Sequence, residues 1–339
     1  MNQSNSKPAR VTIKDIAREA GVDPSTVTRA LQGSSRVKAT TRLKIQNIAA
    51  QLGYVPSAMA RSLVARRSHL IGLLIPDMTN PFFTPLTRGV EDEAARHNLR
   101  VLIRNTEGRP EAERDAIRVF TEFSVDGLIV PMARCPQSFY DELPSMATIV
   151  HLNRPEAPYH VNCDSVQGSR QIVEHLLQLG HTRIGFITGP GAPAREPKMT
   201  AFRECMNAAG LAIHEDEIFH YDGTLKSVEI IANTICTAHP TLTAVFAWND
   251  VCAIALMHAL HKRGVDVPRD MSIAGHDDIE MAGIVQPPLT TVRWPMYEMG
   301  VAAVRYAVSL HEETPVPAME IPPPRMIVRE STSVVPDRP

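Results

Sequence analysis

The sequence predicts a small all-α head followed by an α/β core of two lobes, each a parallel sheet covered by helices. Charge is the first reason. Residues 1–67 hold 12 Lys and Arg against 3 Asp and Glu, while residues 68–339 hold 23 against 34, so a formal net charge of −2 divides into a +9 end and a −11 remainder. The basic end also carries apolar residues at helical spacing (Val11, Ile16, Ala20, Val27, Leu31, Leu43, Ile45, Ile48), which a solvated basic tail lacks. From residue 70 onward, short apolar runs alternate with amphipathic stretches, as in buried parallel strands joined by helices. Roughly 270 residues exceed one comfortable doubly wound domain, hence two lobes.

In the head, Thr12 with Asp15 three residues on makes a capping-box start for a helix running to about Ala20, where Gly21 stops it. Asp23 can cap a second helix, with Pro24 in the first position where a missing N–H costs nothing, ending near Leu31 before Gly33. Two helices around a tight glycine turn form a helix-turn-helix candidate. A third helix from Thr40 or Thr41 to Gly53 offers Leu43, Ile45, Ile48, Ala49 and Leu52 to close a small core. Residues 56–68, PSAMARSLVARRS, read as a linker with helical potential but too short for a stable isolated helix.

In the core, strand candidates fall at His69–Ile75, Leu99–Arg104, Gly127–Val130, Ala147–Leu152, Arg183–Thr188, Glu217–Tyr221, Ala244–Ala247 and Ser272–Gly275. Helices are expected between most of them, including Phe82–Arg96, Ser165–Leu179, Thr200–Ala209 and Asp250–Arg263. The chain is expected to cross between lobes near Val161–Asp164, Thr291–Trp294 and Ile321–Arg325.

Several function classes find no support. The opening MNQSNSKPAR has no apolar stretch behind it, and no run approaches the roughly 18 apolar residues of a membrane span, so a cytoplasmic protein is expected. Cys135, Cys163, Cys205, Cys236 and Cys252 are scattered and never paired as C-x-x-C, which argues for buried thiols rather than disulfides or a metal site. No phosphate-binding loop, hydrolase elbow or zinc-protease helix is present, and Gly189-Pro190-Gly191 reads as an ordinary strand-to-helix loop. No enzyme, cofactor or metal is expected.

The stretch VTIKDIAREAGVDPSTVTRAL, followed by RVKATTRLKIQNIAAQLGYVP, closely resembles the headpiece of the LacI/GalR family of transcription regulators. The resemblance continues in order through IGLLIPDMTNPFF, HLNRP, GHTRIGFITG, AVFAWND, SIAGHDDI and PPLTTVRWPMYEMG, covering nearly the whole chain. It implies a helix-turn-helix head (1–57), a hinge helix (58–68) and two Rossmann-like, periplasmic-binding-protein-like lobes, 69–162 plus 293–322 and 163–292 plus 323–339. It further implies a homodimer on a pseudo-palindromic DNA operator, controlled by a small effector, a sugar or sugar acid, bound between the lobes. The family's base-reading positions fall on Pro24, Ser25 and Arg29, of which Arg29 can grip guanine with two hydrogen bonds. Thr26, Thr28, Arg36, Lys38, Thr40 and Arg42 suit phosphate contacts, although Thr26 and Thr28 could equally serve packing and capping. Leu63, in the stretch from Ala60, matches the hinge leucine that wedges into the minor groove.

The family's ligand-facing positions fall on Asn80, Phe82, Phe83, Arg195, Asn249 and Asp277, with one of the two phenylalanines expected in the core and Asn249 also able to cap the next helix. Alignment from Phe202 instead puts Glu196 at the family's arginine position. Gly223 stands where an aromatic is usual, so that wall is lost or supplied by Tyr221. His276 replaces the commoner aromatic before Asp277 and reads as a structural group. Two rival functions fit less well: an enzyme carrying a DNA-binding head, which the missing motifs disfavour, and a transport-type binding protein, which the basic head disfavours.

Overall fold

The computed structural model describes residues 11–31, 33–54, 67–143, 148–190, 196–316 and 318–335. The chain divides into two compact units at Ser68/His69.

The head contains α1 (Ile13–Ala20), α2 (Pro24–Leu31) and α3 (Ala39–Gln51). The start of α1 is a reciprocal cap: the Thr12 hydroxyl accepts from the Asp15 amide at 3.4 Å, and the Asp15 carboxylate accepts from the Thr12 amide at 2.9 Å. Gly21, at φ 68°, ends it in the left-handed conformation that glycine adopts without penalty. Asp23 accepts from the Ser25 amide at 2.8 Å to start α2. Ile16, Val27, Ala30 and Ile45 are fully buried and form the centre of the head's core. Two residues expected there are not: Leu43 is 60% exposed and Leu52 38%. Leu43 sits two positions from Ile45, on the far side of a helix, and Leu52 lies past the last turn of α3.

The core opens with a five-stranded parallel sheet ordered β2-β1-β3-β4-β5, from β1 (Leu70–Ile75), β2 (Arg100–Asn105), β3 (Gly127–Pro131), β4 (Thr148–Leu152) and β5 (His160–Val161). Its connections include α4 (Thr84–Arg96), α5 (Pro110–Glu122) and α6 (Gln137–Asp141). After β5 the chain crosses to α7 (Ser165–Gln178) and a second parallel sheet ordered β7-β6-β8-β9, from β6 (Ile184–Thr188), β7 (Ile218–His220), β8 (Ala244–Phe246) and β9 (Ser272–Ala274). Here α8 (Pro197–Ala208), α9 (Leu225–Ala238) and α10 (Asp250–His261) are the linking helices. All eight strand candidates appear, each within one residue of its expected ends.

The chain then returns. β10 (Thr291–Arg293) leads to α11 (Met296–His311), which packs on α4 and over β3 and β4 of the first sheet, and β11 (Arg325–Ile327) runs back antiparallel to β10. The contact between α4 and α11 is close because it uses glycines. A Cβ at Gly89 would collide with the Tyr297 carbonyl, and one at Gly300 would lie 2.5 Å from the Leu86 carbonyl. Fully buried Leu86 and Val90 line this contact, each contributing roughly 1.5–3 kcal/mol by leaving water. The first lobe therefore needs a helix that arrives from the second.

Candidate functional site

On α2, Val27 and Ala30 face the core while Pro24, Ser25 and Arg29 are exposed, so the helix presents one face carrying a hydroxyl and a guanidinium. Thr26 is half-buried, and the Thr28 hydroxyl donates to the Pro24 carbonyl of its own helix at 3.1 Å, which favours its packing role. Arg36 and Lys38 are exposed at the start of α3. Arg42, expected on phosphate, instead donates to the carbonyls of Ser34 (2.8 Å) and Val37 (3.3 Å), because the loop between α2 and α3 has acceptors to satisfy. Lys44 likewise donates to the Ala20 carbonyl at 3.0 Å, at the C-terminal end of α1. Ala60, Leu63 and the rest of the linker from 55 to 66 lie outside the described residues.

In the core, the carboxyl ends of β8 and β9 deliver Trp248, Asn249, His276 and Asp277, and the loop after β1 delivers Asn80 and Phe82. Phe82 packs against hydrophobic clusters that include both sheets and makes an edge contact with Trp294 at 6.1 Å. Trp294, in the crossover after β10, directs its indole N–H at the His276 ring, 3.2 Å from Nδ1 and 3.4 Å from Nε2. Trp248 lies against Gly189, where any Cβ would collide with the indole. Lys198, in the first turn of α8, donates to the Trp248 carbonyl at 2.6 Å, with its ammonium 4.0 Å from the centre of the indole.

Three ionisable groups at these strand ends are shifted together. Burial pushes the Asp277 carboxyl well above its usual range, and the Lys198 charge acts against that shift. Burial pushes the Lys198 ammonium down, and Asp277 acts against that in turn. Burial and the Lys198 charge hold His276 neutral, as an acceptor from Trp294 requires. Asp250 lies behind them: its carboxylate accepts from Thr291 Oγ1 (2.5 Å) and the Ile279 amide (2.9 Å), and burial pushes it up to about 6. A Cys, His, Asp or Glu cluster able to hold a metal does not occur among the described residues.

The expected site residues are partly brought together. Of the phenylalanine pair, Phe83 is the one closed into the core, at 5% exposure, and does not face an effector, while Phe82 is half-buried. Asn80 uses its side-chain oxygen on the Phe82 amide (3.0 Å), and Asn249 uses its own on the Cys252 amide (2.9 Å), capping α10 as foreseen. Arg195 lies outside the described residues, and the alternative, Glu196, is buried and caps α8 through the Met199 amide (3.0 Å). Tyr221 is core rather than a cleft wall. Sequence reasoning named Lys198, with Arg195 and His276, only as suiting a sugar acid, and did not single out Trp248 or Trp294. The available signal was the glycine at 189, beside which a large flat side chain fits.

A helix-turn-helix head with an exposed guanidinium, joined in one chain to a two-lobed α/β core that gathers polar and aromatic residues at the carboxyl ends of its strands, defines a ligand-responsive DNA-binding regulator. Comparison with known proteins agrees. The family model for bacterial regulatory proteins of the lacI family matches residues 12–57, and that for a periplasmic binding protein-like domain matches residues 173–332. The HTH-type transcriptional regulator DegA of Bacillus subtilis (strain 168) is 33% identical over 333 residues, 96% of this chain and 98% of DegA. The ribose operon repressor of Halalkalibacterium halodurans is 34% identical over 95% of this chain and 97% of its own. Among solved structures, the Lac repressor dimer bound to operator and the anti-inducer ONPF superposes with a TM-score of 0.82 at 25% identity, covering 96% of this chain and 99% of that one. The chain belongs to the LacI family and is a DNA-binding transcription regulator. Its relatives are regulators, and no described helix is long and apolar enough to cross a membrane.

Proposed function

We propose that this chain is a repressor that binds a pseudo-palindromic operator as a homodimer and changes its operator affinity when a sugar or sugar acid occupies the cleft between its lobes. Residues 1–57 form the head, 58–68 the hinge, 69–162 plus 293–322 one lobe, and 163–292 plus 323–339 the other. Pro24, Ser25 and Arg29 read bases, with Arg29 the strongest reader, while Arg36 and Lys38 hold phosphates and set the register. Ala60 and Leu63 belong to the hinge contact with the minor groove.

The observation that carries the effector reading is the cluster at these strand ends: Asp277 and Lys198 act on each other's charge, Lys198 lies over the Trp248 indole, and Phe82 meets Trp294 edge on. A polyhydroxylated ring needs flat apolar faces together with acceptors and donors in set positions. Asn249 and Asn80 retain amide nitrogens for further contacts. Effector that binds one lobe arrangement better than another shifts the population and with it the affinity for DNA. The test is a thermal-shift screen of sugars, sugar acids and nucleosides on the full chain, with operator binding measured for each hit. A sugar or sugar acid that raises the melting temperature and alters operator affinity is expected. Hits confined to nucleosides would overturn the effector class.

A further inference from the structure

Asp278 has a different set of partners from its neighbour Asp277. The two are consecutive residues in the positive-φ region, at 138° for Asp277 and 54° for Asp278, and neither is glycine. Such a backbone persists only where its surroundings over-determine it. The surroundings here are the segments that pass between the lobes. The Asp277 amide donates to the Val292 carbonyl at 3.0 Å, and the Asp278 amide donates to Thr291 Oγ1 at 3.3 Å. The Asp278 carboxylate is only 3% exposed and takes an arginine on each oxygen: Arg293 Nε at 2.5 Å and Arg329 Nη2 at 2.6 Å.

These two arginines stand on the two returning segments. Arg293 is the last residue of β10, which leads into the first lobe, and Arg329 follows β11, which comes back from it. Arg329 is further fixed by donating to the Leu289 carbonyl at 2.7 Å, and its amide donates to Thr290 Oγ1 at 2.9 Å. Arg293 keeps 57% of its side chain exposed against 19% for Arg329. Arg329 is thus the more buried arm of the clasp, and Arg293 the more exposed one.

We propose that Asp278 is a positioning residue that ties the loop carrying Asp277 to both returning crossover segments and thereby sets the angle between the lobes. A ligand that draws on Asp277 moves a loop that cannot yield by itself, because the next carboxylate grips β10 and the segment after β11. The displacement is delivered to the crossovers, where a small change in direction becomes a change in lobe angle. Without the grip, the loop would absorb the movement locally. The proposal rests on reading Asp277 as an effector contact, yet it is tested with no effector present, so its failure would leave that reading standing.

The experiment uses the full chain with spin labels at Glu91→Cys on α4 and Lys226→Cys on α9, both exposed, in a Cys236→Ser background because the other four cysteines are buried. Pulsed electron paramagnetic resonance then reads the distance between lobes. Asp278→Asn and, separately, Arg293→Gln, which removes only the exposed arm and keeps the test open if the first variant folds poorly, should shift and broaden that distance. Hydrogen exchange in β1–β4 and β6–β9 should stay at the wild-type level. Affinity for an operator chosen by in vitro selection should change about 5-fold or more, the lower end of coupling between sites. An unchanged distance in both variants would overturn the proposal. So would a broadened distance accompanied by faster exchange throughout the second sheet, since that is the signature of general loosening.

Discussion

The Lys198 ammonium is bound twice by Trp248, once through the backbone carbonyl at 2.6 Å and once through the indole face at 4.0 Å. A cation held over an aromatic ring in a partly dry site gains about 2 kcal/mol, so the charge and the flat wall form one unit. Gly189 completes it by leaving room for the indole.

Lys198→Met should therefore lose effector response without touching DNA contacts. Operator affinity without effector stays within about 2-fold of wild type, and effector affinity falls about 10-fold or more, the loss of one charge-assisted hydrogen bond in a closed site. The variant should also respond to pH. The Asp277 carboxyl is already raised by burial and loses the charge that opposed the shift, so effector affinity begins to fall at a higher pH than in wild type as the solution is acidified. Calorimetric titration of the screening hit across pH reads both effects, and an unchanged pH profile would contradict the pairing.

Asp250 supplies a stability test. Its carboxyl is raised to about 6 by burial, whereas an unfolded Asp titrates near 3.9, so the folded chain holds this proton more tightly. The resulting stabilisation is fully present below about pH 4 and is lost as pH rises through about 6, a change of about 3 kcal/mol. Asp250→Asn cannot titrate but can still accept from the Ile279 amide and donate towards Thr291 Oγ1. Relative to wild type, its unfolding free energy should improve by about that amount between pH 4 and 7. A constant difference between the two proteins across that range in denaturant titrations would refute the shift.

In the head, Arg29, Lys38 and Arg42 should behave as three different kinds of arginine or lysine. Arg29→Ala should lose about 1–3 kcal/mol of discrimination between operator and scrambled duplex. Lys38→Ala should weaken both duplexes alike and flatten the salt dependence. Arg42→Ala should lower the head's stability by about 1–3 kcal/mol, because the Val37 carbonyl loses its donor and the Ser34 carbonyl keeps only the Val37 amide, with little change in the salt slope. Competition binding at several salt concentrations, with thermal melts, separates them. Equal loss on both duplexes for Arg29→Ala would demote it to a phosphate contact.

The fold was legible because its signals are local and redundant. The Thr12/Asp15 cap, Pro24 at the start of α2 and eight apolar runs each specify their element without reference to distant residues. Even the early start of α8 follows from a local cap, Glu196 before Pro197, although the sequence suggested a start near Thr200. The cleft was less legible because its geometry is tertiary. Nothing in NPFF says which phenylalanine turns inward, and nothing near Lys198 says that its partner lies fifty residues away at Trp248. Asp278 sits in the left-handed region that Asp often adopts, whereas Asp277, at φ 138°, lies outside it, and only the crossover segments hold the two there. The Arg42 contacts are hidden in the sequence for the same reason: its acceptors belong to a loop conformation rather than to a motif.

An effector held at Asp277 is expected to control the affinity of the head for DNA. Effector titration by calorimetry on Asp277→Ala, paired with operator binding and with an unliganded melting temperature equal to wild type, tests it most directly. The variant is expected to bind operator normally, to lose effector affinity by about 1–3 kcal/mol or more, and to show no effector-dependent change in DNA binding. Wild-type effector affinity in a variant of unchanged melting temperature would contradict the claim.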